Sequence, residues 1–446
     1  MAALLAAAVA GCSPDDILDV TDPDIIDPKD VNSPAGAEGL RRGTLRRLNE
    51  ATSGDESFFL FGGLMADEWR SGDTFTQRDQ TDQRNVVPSN ANVDLAYRDI
   101  HQARLSAEQT ISALEEFAPD APAWNLGQMN FVAGYTEVLL AEHFCGAVPF
   151  SDIVDGQAEY GLSLSRDDVL ARAIAHFDEA LASATGTPVS EADRVKFSAQ
   201  VGKGRALLNL GRFPEAATAV AGVPTTFEFL MTHASTTEEN VIWQLNNSNR
   251  RYTVANLDGT SGLNFVTAAD PRVRTTPGGN TRSFDTVTPL FRQQVWPVRE
   301  SSVAIVDGIE ARLIEAEAAL RAGNAVTWLT TLNALRANTA LYACPTGLSA
   351  CTPPAPLAPL VDPVTDVARQ NLHFRERAFW LFSTGHRLGD LRRLVSQYGR
   401  GPETVFPTGN FHKGGTYGLQ VNFPIPQDEE NNPNYKPAEC STTTAA

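Results

Sequence analysis

An apolar stripe at helical spacing sets the fold class of this chain before any motif is considered. From Asn92 onward, Val93, Tyr97, Ile100, Ala103, Ala107, Ile111, Leu114 and Phe117 recur at intervals of three and four. An α-helix, at 3.6 residues per turn, gathers such a set on one face. The same pattern predicts a second helix through Met129, Val132, Thr136, Leu139, Leu140 and Phe144. Ser165, followed three residues later by Asp168, makes a capping-box start for a third, which carries Val169, Ala173, Ile174, Phe177 and Leu181. Its partner runs from Ser190 to Leu210 and stops at Gly211. The expected fold is therefore mainly α. The 446 residues are ample for a sizeable core. The alternating strands and helices that a two-lobed α/β binding protein needs are absent.

Two segments repeat one idea. Gly204-Arg205-Ala206-Leu207-Leu208-Asn209-Leu210-Gly211-Arg212-Phe213-Pro214-Glu215-Ala216-Ala217 has the small residues and turning glycine of a tetratricopeptide-type helix hairpin. Glu310–Arg336 repeats it: Leu313, Ala316 and Leu320 lead to Gly323-Asn324, then Trp328, Leu332 and Leu335 follow. Two hairpins, at about 165–222 and 305–340, are too few for a free-standing solenoid, so they are expected as a layer of one larger domain over 35–440. Between them, residues 223–301 lose helical period. Val241-Ile242-Trp243-Gln244-Leu245 reads as a short strand, followed by polar clusters at 246–252 and 277–280. A loop-rich insert of this length within a compact domain is where function is expected.

Charge and cysteine usage narrow the setting. The net charge is −18, from 54 acidic and 36 basic residues. Such a surface repels phosphate backbones, so neither nucleic acid nor contact with an anionic membrane through a basic patch is expected. Residues 1–11 are rich in Ala, Leu and Val, too short to span a bilayer, and read as a signal peptide short of its basic leader. Small residues before Cys12 match a lipobox, making Cys12 the expected lipidation site and membrane anchor. Residues 12–34, rich in Asp and Pro, read as a tether. The remaining Cys145, Cys344, Cys351 and Cys440 allow three disulfide pairings. The short Pro- and Gly-containing loop between Cys344 and Cys351 favours that pair, which leaves Cys145 with Cys440. These spacings match no zinc site.

The C-terminal hundred residues hold the most specific pattern. Arg375-Glu376-Arg377-Ala378-Phe379-Trp380-Leu381-Phe382-Ser383-Thr384-Gly385-His386-Arg387-Leu388-Gly389-Asp390-Leu391-Arg392-Arg393 resembles the signature helix pair of the RagB/SusD family: a Glu-Arg pair, a Gly-His-Arg corner, then Asp-Leu-Arg-Arg. Phe423-Pro424-Ile425-Pro426-Gln427-Asp428-Glu429-Glu430-Asn431-Asn432-Pro433 resembles its closing motif, and Glu310–Arg336 and Cys12 fall where the family has counterparts. The resemblance implies a SusD-like helical domain with long, irregular ligand-side loops containing short strands. It implies an outer-membrane, surface-exposed lipoprotein that captures an oligosaccharide or another oligomer such as a peptide. It also implies delivery to a SusC-like TonB-dependent β-barrel. The two cysteine pairs are not part of the general family pattern, and no cluster of several Trp and Tyr marks the ligand loops. Read physically, Glu376, Arg377, Gly385, His386, Arg387 and Asp390 form a folding constellation. Gly385 ends a helix in the left-handed region, His386 caps carbonyls, and Arg387 pairs with Asp390. Arg392 and Arg393 face outward or bond helix ends.

No enzymatic motif stands out. The chain has no Gly-x-Ser-x-Gly elbow, no His-Glu-x-x-His helix and no P-loop, and its seven histidines show no metal-ligand spacing. His143 beside Cys145 reads as structural. The chain is expected to be no enzyme and to need no cofactor or metal. Sugar recognition pairs aromatic faces with amides and guanidiniums. Two regions supply them: Trp69, Arg70, Asp73, Phe75 and Arg84 in one, and Asn246, Asn249, Arg251 and Tyr252, with Arg282 and Trp296, in the other. The competing reading buries Trp69 at the end of a core helix and Trp296 under a loop. For the chain as a whole, the alternative to nutrient capture is a helical-repeat scaffold that binds proteins and has no small ligand.

Overall fold

The Trp124–His143 helix is the axis of the protein. Nearly every residue from Asn125 to His143 is buried, because helices wrap it on all sides. The computed structural model describes residues 32–154 and 157–445. The expected signal peptide, the lipidation at Cys12 and nearly all of the tether lie outside the described residues. Around the axis pack Ala91–Phe117, Arg166–Ala182 and Val189–Asn209, with Pro34–Asn49 alongside Ala91–Phe117. The expected stripe faces inward: Val93, Tyr97, Ile100, Ala103, Ala107 and Leu114 are buried, and Ile111 and Phe117 pack at its edge. No helix among the described residues is long and apolar enough to cross a membrane.

Both hairpins form. Ser165 accepts the N–H of Asp168 at 3.2 Å and opens Arg166–Ala182. Val189–Asn209 turns at Gly211 into Phe213–Val220, and Gly308–Arg321 turns at Gly323 into Ala325–Ala337. Gly308–Arg321 packs on Phe213–Val220 and Val189–Asn209, so the hairpins make one continuous layer with the axis.

Strands are short, antiparallel and paired in twos. Within and beside the insert, Glu228–Met231 pairs with Val303–Asp307, and Thr275–Arg282 pairs with Pro289–Gln293. Trp69–Ser71 pairs with Tyr252–Val254, joining two regions far apart in sequence. Val241–Leu245 is not the expected strand. Asn240 accepts the N–H of Trp243 at 2.9 Å, and the chain coils through Val241–Trp243 and a wide turn at Gln244–Ser248. Four apolar residues in a run of five carry no decisive period, and the cap decides.

The disulfides are Cys344–Cys351 and Cys145–Cys440. The second fixes the C-terminal tail, which continues in order: Val421 N–H donates to Thr442 O at 2.7 Å. The corner holds a buried ionic network. Gly385 has φ +74°, and a Cβ there would meet the Phe59 ring at 2.8 Å. Asp390 pairs with Arg377 and Arg393 at 2.7 Å each, and Arg393 also pairs with buried Glu317. Glu376 takes Arg272 at 2.7 Å and Arg336 at 2.8 Å.

Three details of the corner differ from the expectation. Arg387 pairs with Asp67 rather than Asp390, because Asp390 is already held by two other guanidiniums. His386 caps no carbonyl; its Nδ1 lies 2.9 Å from Thr384 Oγ1 and its Nε2 lies 3.1 Å from Glu310 Oε1. Arg392 and Arg393 are both buried: Arg392 bonds the carbonyls of Ala141 and Glu142 near the end of the axis, and Arg393 joins the network.

Candidate functional site

The site begins at its root. Asp67, Glu68 and Trp69 follow a fully buried helix, Phe58–Met65, and each is tied to the corner. Asp67 accepts Arg387 Nε at 2.5 Å. Glu68 Oε1 accepts Ser383 N–H at 2.9 Å, and Trp69 Nε1 donates to Ser383 Oγ at 2.8 Å. Burial, against the pull of the Ser383 N–H, lifts the Glu68 carboxyl to about 8, so it is held neutral. These bonds set the strand Trp69–Ser71, whose register places Ser71 opposite Tyr252.

Beyond that strand three loops are laced by their backbones. Gly72 N–H donates to Arg251 O at 2.9 Å, Phe284 N–H to Arg250 O at 2.9 Å, and Asp285 N–H to Gly72 O at 2.8 Å. Gly72 is required by the crossing itself, since a Cβ there would overlap Ser283. Arg250 (φ +58°) and Thr286 (φ +66°) both hold left-handed backbone without being glycine, a strain that concentrates where loops are over-determined by their surroundings. Asp285 fixes its own turn by accepting the N–H groups of Val287 and Thr288 and the Thr288 hydroxyl. Although burial works against its charge, those bonds keep it below the ordinary carboxylate range.

The product is a stack open to solvent. The Arg251 guanidinium lies 3.6 Å from the Phe284 ring centre and 5.0 Å from that of Phe75. Phe75 is 52% exposed and Phe284 39% exposed. One edge of Arg251 is held by Asp73 Oδ1 at 2.6 Å, and buried Asp73 is shared with Arg78. Burial opposes the Asp73 charge, and Arg78 and Arg251 outweigh it, so the carboxylate stays ionised. Arg78 in turn bonds Glu56, which also accepts the Tyr252 hydroxyl. Lys413 reaches the Asp73 carbonyl and lies 2.6 Å from Asp79. Arg250 and Arg282 stand beside the stack: Arg250 Nη1 donates to Arg282 O at 3.3 Å, and the Arg282 side chain is exposed.

Of the residues singled out from sequence, Asp73, Phe75, Arg251 and Arg282 come together here, with Asn249 exposed next to Arg250. Arg70 pairs with Asp258 and lines a neighbouring pocket of about 320 Å³ with Leu257, Thr260, Asn410, His412 and Tyr417. Four others present nothing to a ligand. Trp69 and Tyr252 are fully buried, their rings spent on the core and their polar tips on Ser383 and Glu56. Arg84 is buried, donating to the carbonyls of Gln420 and Pro407. Asn246 is buried, bridging Tyr252, Phe291 and Gln293. Trp296 is nearly buried and lines a different cavity, of about 500 Å³, with Tyr342 and Trp380. Phe284 was not anticipated. A lone Phe among Thr281, Arg282, Ser283, Asp285 and Thr286 is the signal that could have marked it.

The chain matches no protein-family model and no curated protein sequence. Solved structures do share its fold. A SusD/RagB family protein from Bacteroides thetaiotaomicron superposes with a TM-score of 0.67 at 14% identity, over 91% of this chain and 96% of that one. A SusD superfamily protein from Parabacteroides distasonis gives 0.63 at 13%, over 90% and 97%. A SusD-like carbohydrate binding protein from Bacteroides vulgatus gives 0.59 at 13%, over 80% and 83%. The architecture is that of the SusD/RagB proteins, at 13–14% sequence identity to these examples.

Proposed function

We propose that this chain is a nutrient-capture protein of the cell surface that binds an oligosaccharide at the Phe75–Arg251–Phe284 stack. The observation that carries the reading is the pair of exposed phenyl rings held in place by three interlocked loops on a SusD-type scaffold. Exposed aromatic faces on rigid supports suit the apolar C–H faces of sugar rings, and the guanidinium between them offers donors to hydroxyls. The carbohydrate binding named for one fold relative supports the same ligand class. In this reading Cys12 carries the lipid that anchors the protein to the outer membrane, and a SusC-like TonB-dependent barrel receives the cargo. The helical-repeat layer is then a structural wall of the domain and not a free protein-binding scaffold.

The test is titration of the full chain with a panel of oligosaccharides, repeated on Phe75→Ala/Phe284→Ala. Both rings are at the surface, so the variant retains its fold. Loss of affinity of at least about tenfold, or about 1.4 kcal/mol, supports the site. Unchanged affinity moves binding elsewhere. A mild-detergent pull-down from native membranes tests the transport step, with a stoichiometric β-barrel as the expected partner.

A further inference from the structure

The site described above is cationic in a protein that is strongly anionic. Acidic residues outnumber basic ones 54 to 36 over the whole chain. At the stack the accessible groups reverse that balance. Arg250, Arg251 and Arg282 lie on two adjoining loops, with Lys413 at the rim. The acids facing them are already committed. Asp73 is buried between Arg78 and Arg251. Asp79 and Asp285 are taken by Lys413, at 2.6 and 3.5 Å, and Asp285 also by its own turn. Glu56 is paired with Arg78 beneath the surface. Among the described residues, Arg250 and Arg282 have no carboxylate partner.

Arg250 is also held in left-handed backbone, at φ +58°, while its carbonyl is pinned by Phe284 N–H. The loop therefore fixes the direction in which this unpaired arginine leaves the surface. Arginine, with its fork of donors, is the side chain suited to carboxylate and sulfate groups. Aromatic faces alternating with such forks match a chain of sugar rings bearing acidic substituents. An acidic peptide without aromatic or proline side chains lacks the ring faces that would use both phenyls.

Building on the capture reading, we propose that the ligand is an acidic oligosaccharide, its ring faces on Phe75 and Phe284 and its anionic groups on Arg250, Arg251 and Arg282.

The experiment titrates the full chain with oligogalacturonate, with its fully methyl-esterified form, with neutral gluco-oligosaccharides of equal length, and with hexaglutamate. The expected result is binding of oligogalacturonate at least about tenfold tighter than the neutral chains, weakening steeply between 50 and 500 mM NaCl as exposed charges are screened. Arg250→Ala/Arg282→Ala is expected to lower oligogalacturonate affinity about tenfold and to lower any neutral binding by a smaller factor. Equal or tighter binding of the neutral or esterified chains overturns the acidic-ligand proposal and leaves the capture reading standing. Hexaglutamate binding as tightly as the sugar overturns the saccharide assignment. Acidic-sugar binding that ignores the arginine substitutions overturns the site. Failure of every saccharide overturns both readings.

Discussion

Asp67→Ala is the substitution through which fold and site can be interrogated together. Asp67 is 1% exposed, and its carboxylate takes Arg387 Nε at 2.5 Å and Nη2 at 3.0 Å, while Oδ2 also accepts Leu263 N–H at 2.7 Å. Alanine strands a buried guanidinium, which costs about 3–5 kcal/mol, and leaves an amide short of one bond worth about 1 kcal/mol. Against a typical total of about 5–15 kcal/mol, that is about a quarter or more of the stability. The damage is local first, since Asp67 and its neighbours Glu68 and Trp69 root the strand that leads to Phe75. Urea unfolding followed by tryptophan fluorescence should show a large fall in midpoint, and saccharide affinity should fall with it. Arg387→Met in the same background removes the stranded charge and is expected to recover about 2 kcal/mol. A loss below about 1 kcal/mol, or no recovery in the double variant, would refute the claim that this pair anchors the site.

Other expectations rest on different physics. Burial, only partly offset by Arg172, lifts Glu137 to about 8. The folded state thus keeps a proton that the unfolded chain releases above about 4.5, so this group removes stability as pH rises from about 4.5 to about 8, by up to about 1.4 kcal/mol per pH unit. Glu137→Gln has no proton to lose and should flatten the fall of Tm across that window; an unchanged slope sinks the assignment. Gly202→Ala would ordinarily strengthen a helix by about 1 kcal/mol, yet here the new Cβ meets the buried Phe177 ring at 2.5 Å. A net loss of about 1–3 kcal/mol is expected instead, and a gain in Tm would contradict it. Cys440→Ser opens a loop of 295 residues and Cys344→Ser one of 7, so chain entropy makes the first more costly, by about 2–5 kcal/mol. Equal thermal shifts for the two would argue against that account.

Much of the scaffold is legible because its signals are local. The stripe from Val93 to Leu114 and the Ser165–Asp168 start lie within a few turns of the residues they organise. Gly211, between two helices, is local in the same sense. The Cys344–Cys351 pair spans one loop. Where local signals are thin, the reading fails: Val241–Leu245 has four apolar residues and no period, and the Asn240 cap turns it helical.

The candidate site divides along the same line. The two regions that meet there, near Trp69 and near Tyr252, were visible as polar, Arg-rich stretches with aromatics. Which aromatics face solvent was not. Trp69 is drawn inward by Ser383, 314 residues away, and Tyr252 by Glu56, 196 residues away. Phe75 and Phe284 remain outside because the space beneath them is already filled by Arg251, Arg78 and Asp73.

The sequence by itself determined the helical class, the two hairpins, the Cys344–Cys351 pair and the corner motif, since periodicity, caps and short loops act over distances the chain keeps local. Only the tertiary structure decided that Arg387 answers Asp67, that Arg392 and Arg393 are interior, and that an arginine between two phenyl rings faces solvent. Exposure is settled by competition for a shared interior among segments hundreds of residues apart, and no local spacing encodes the outcome.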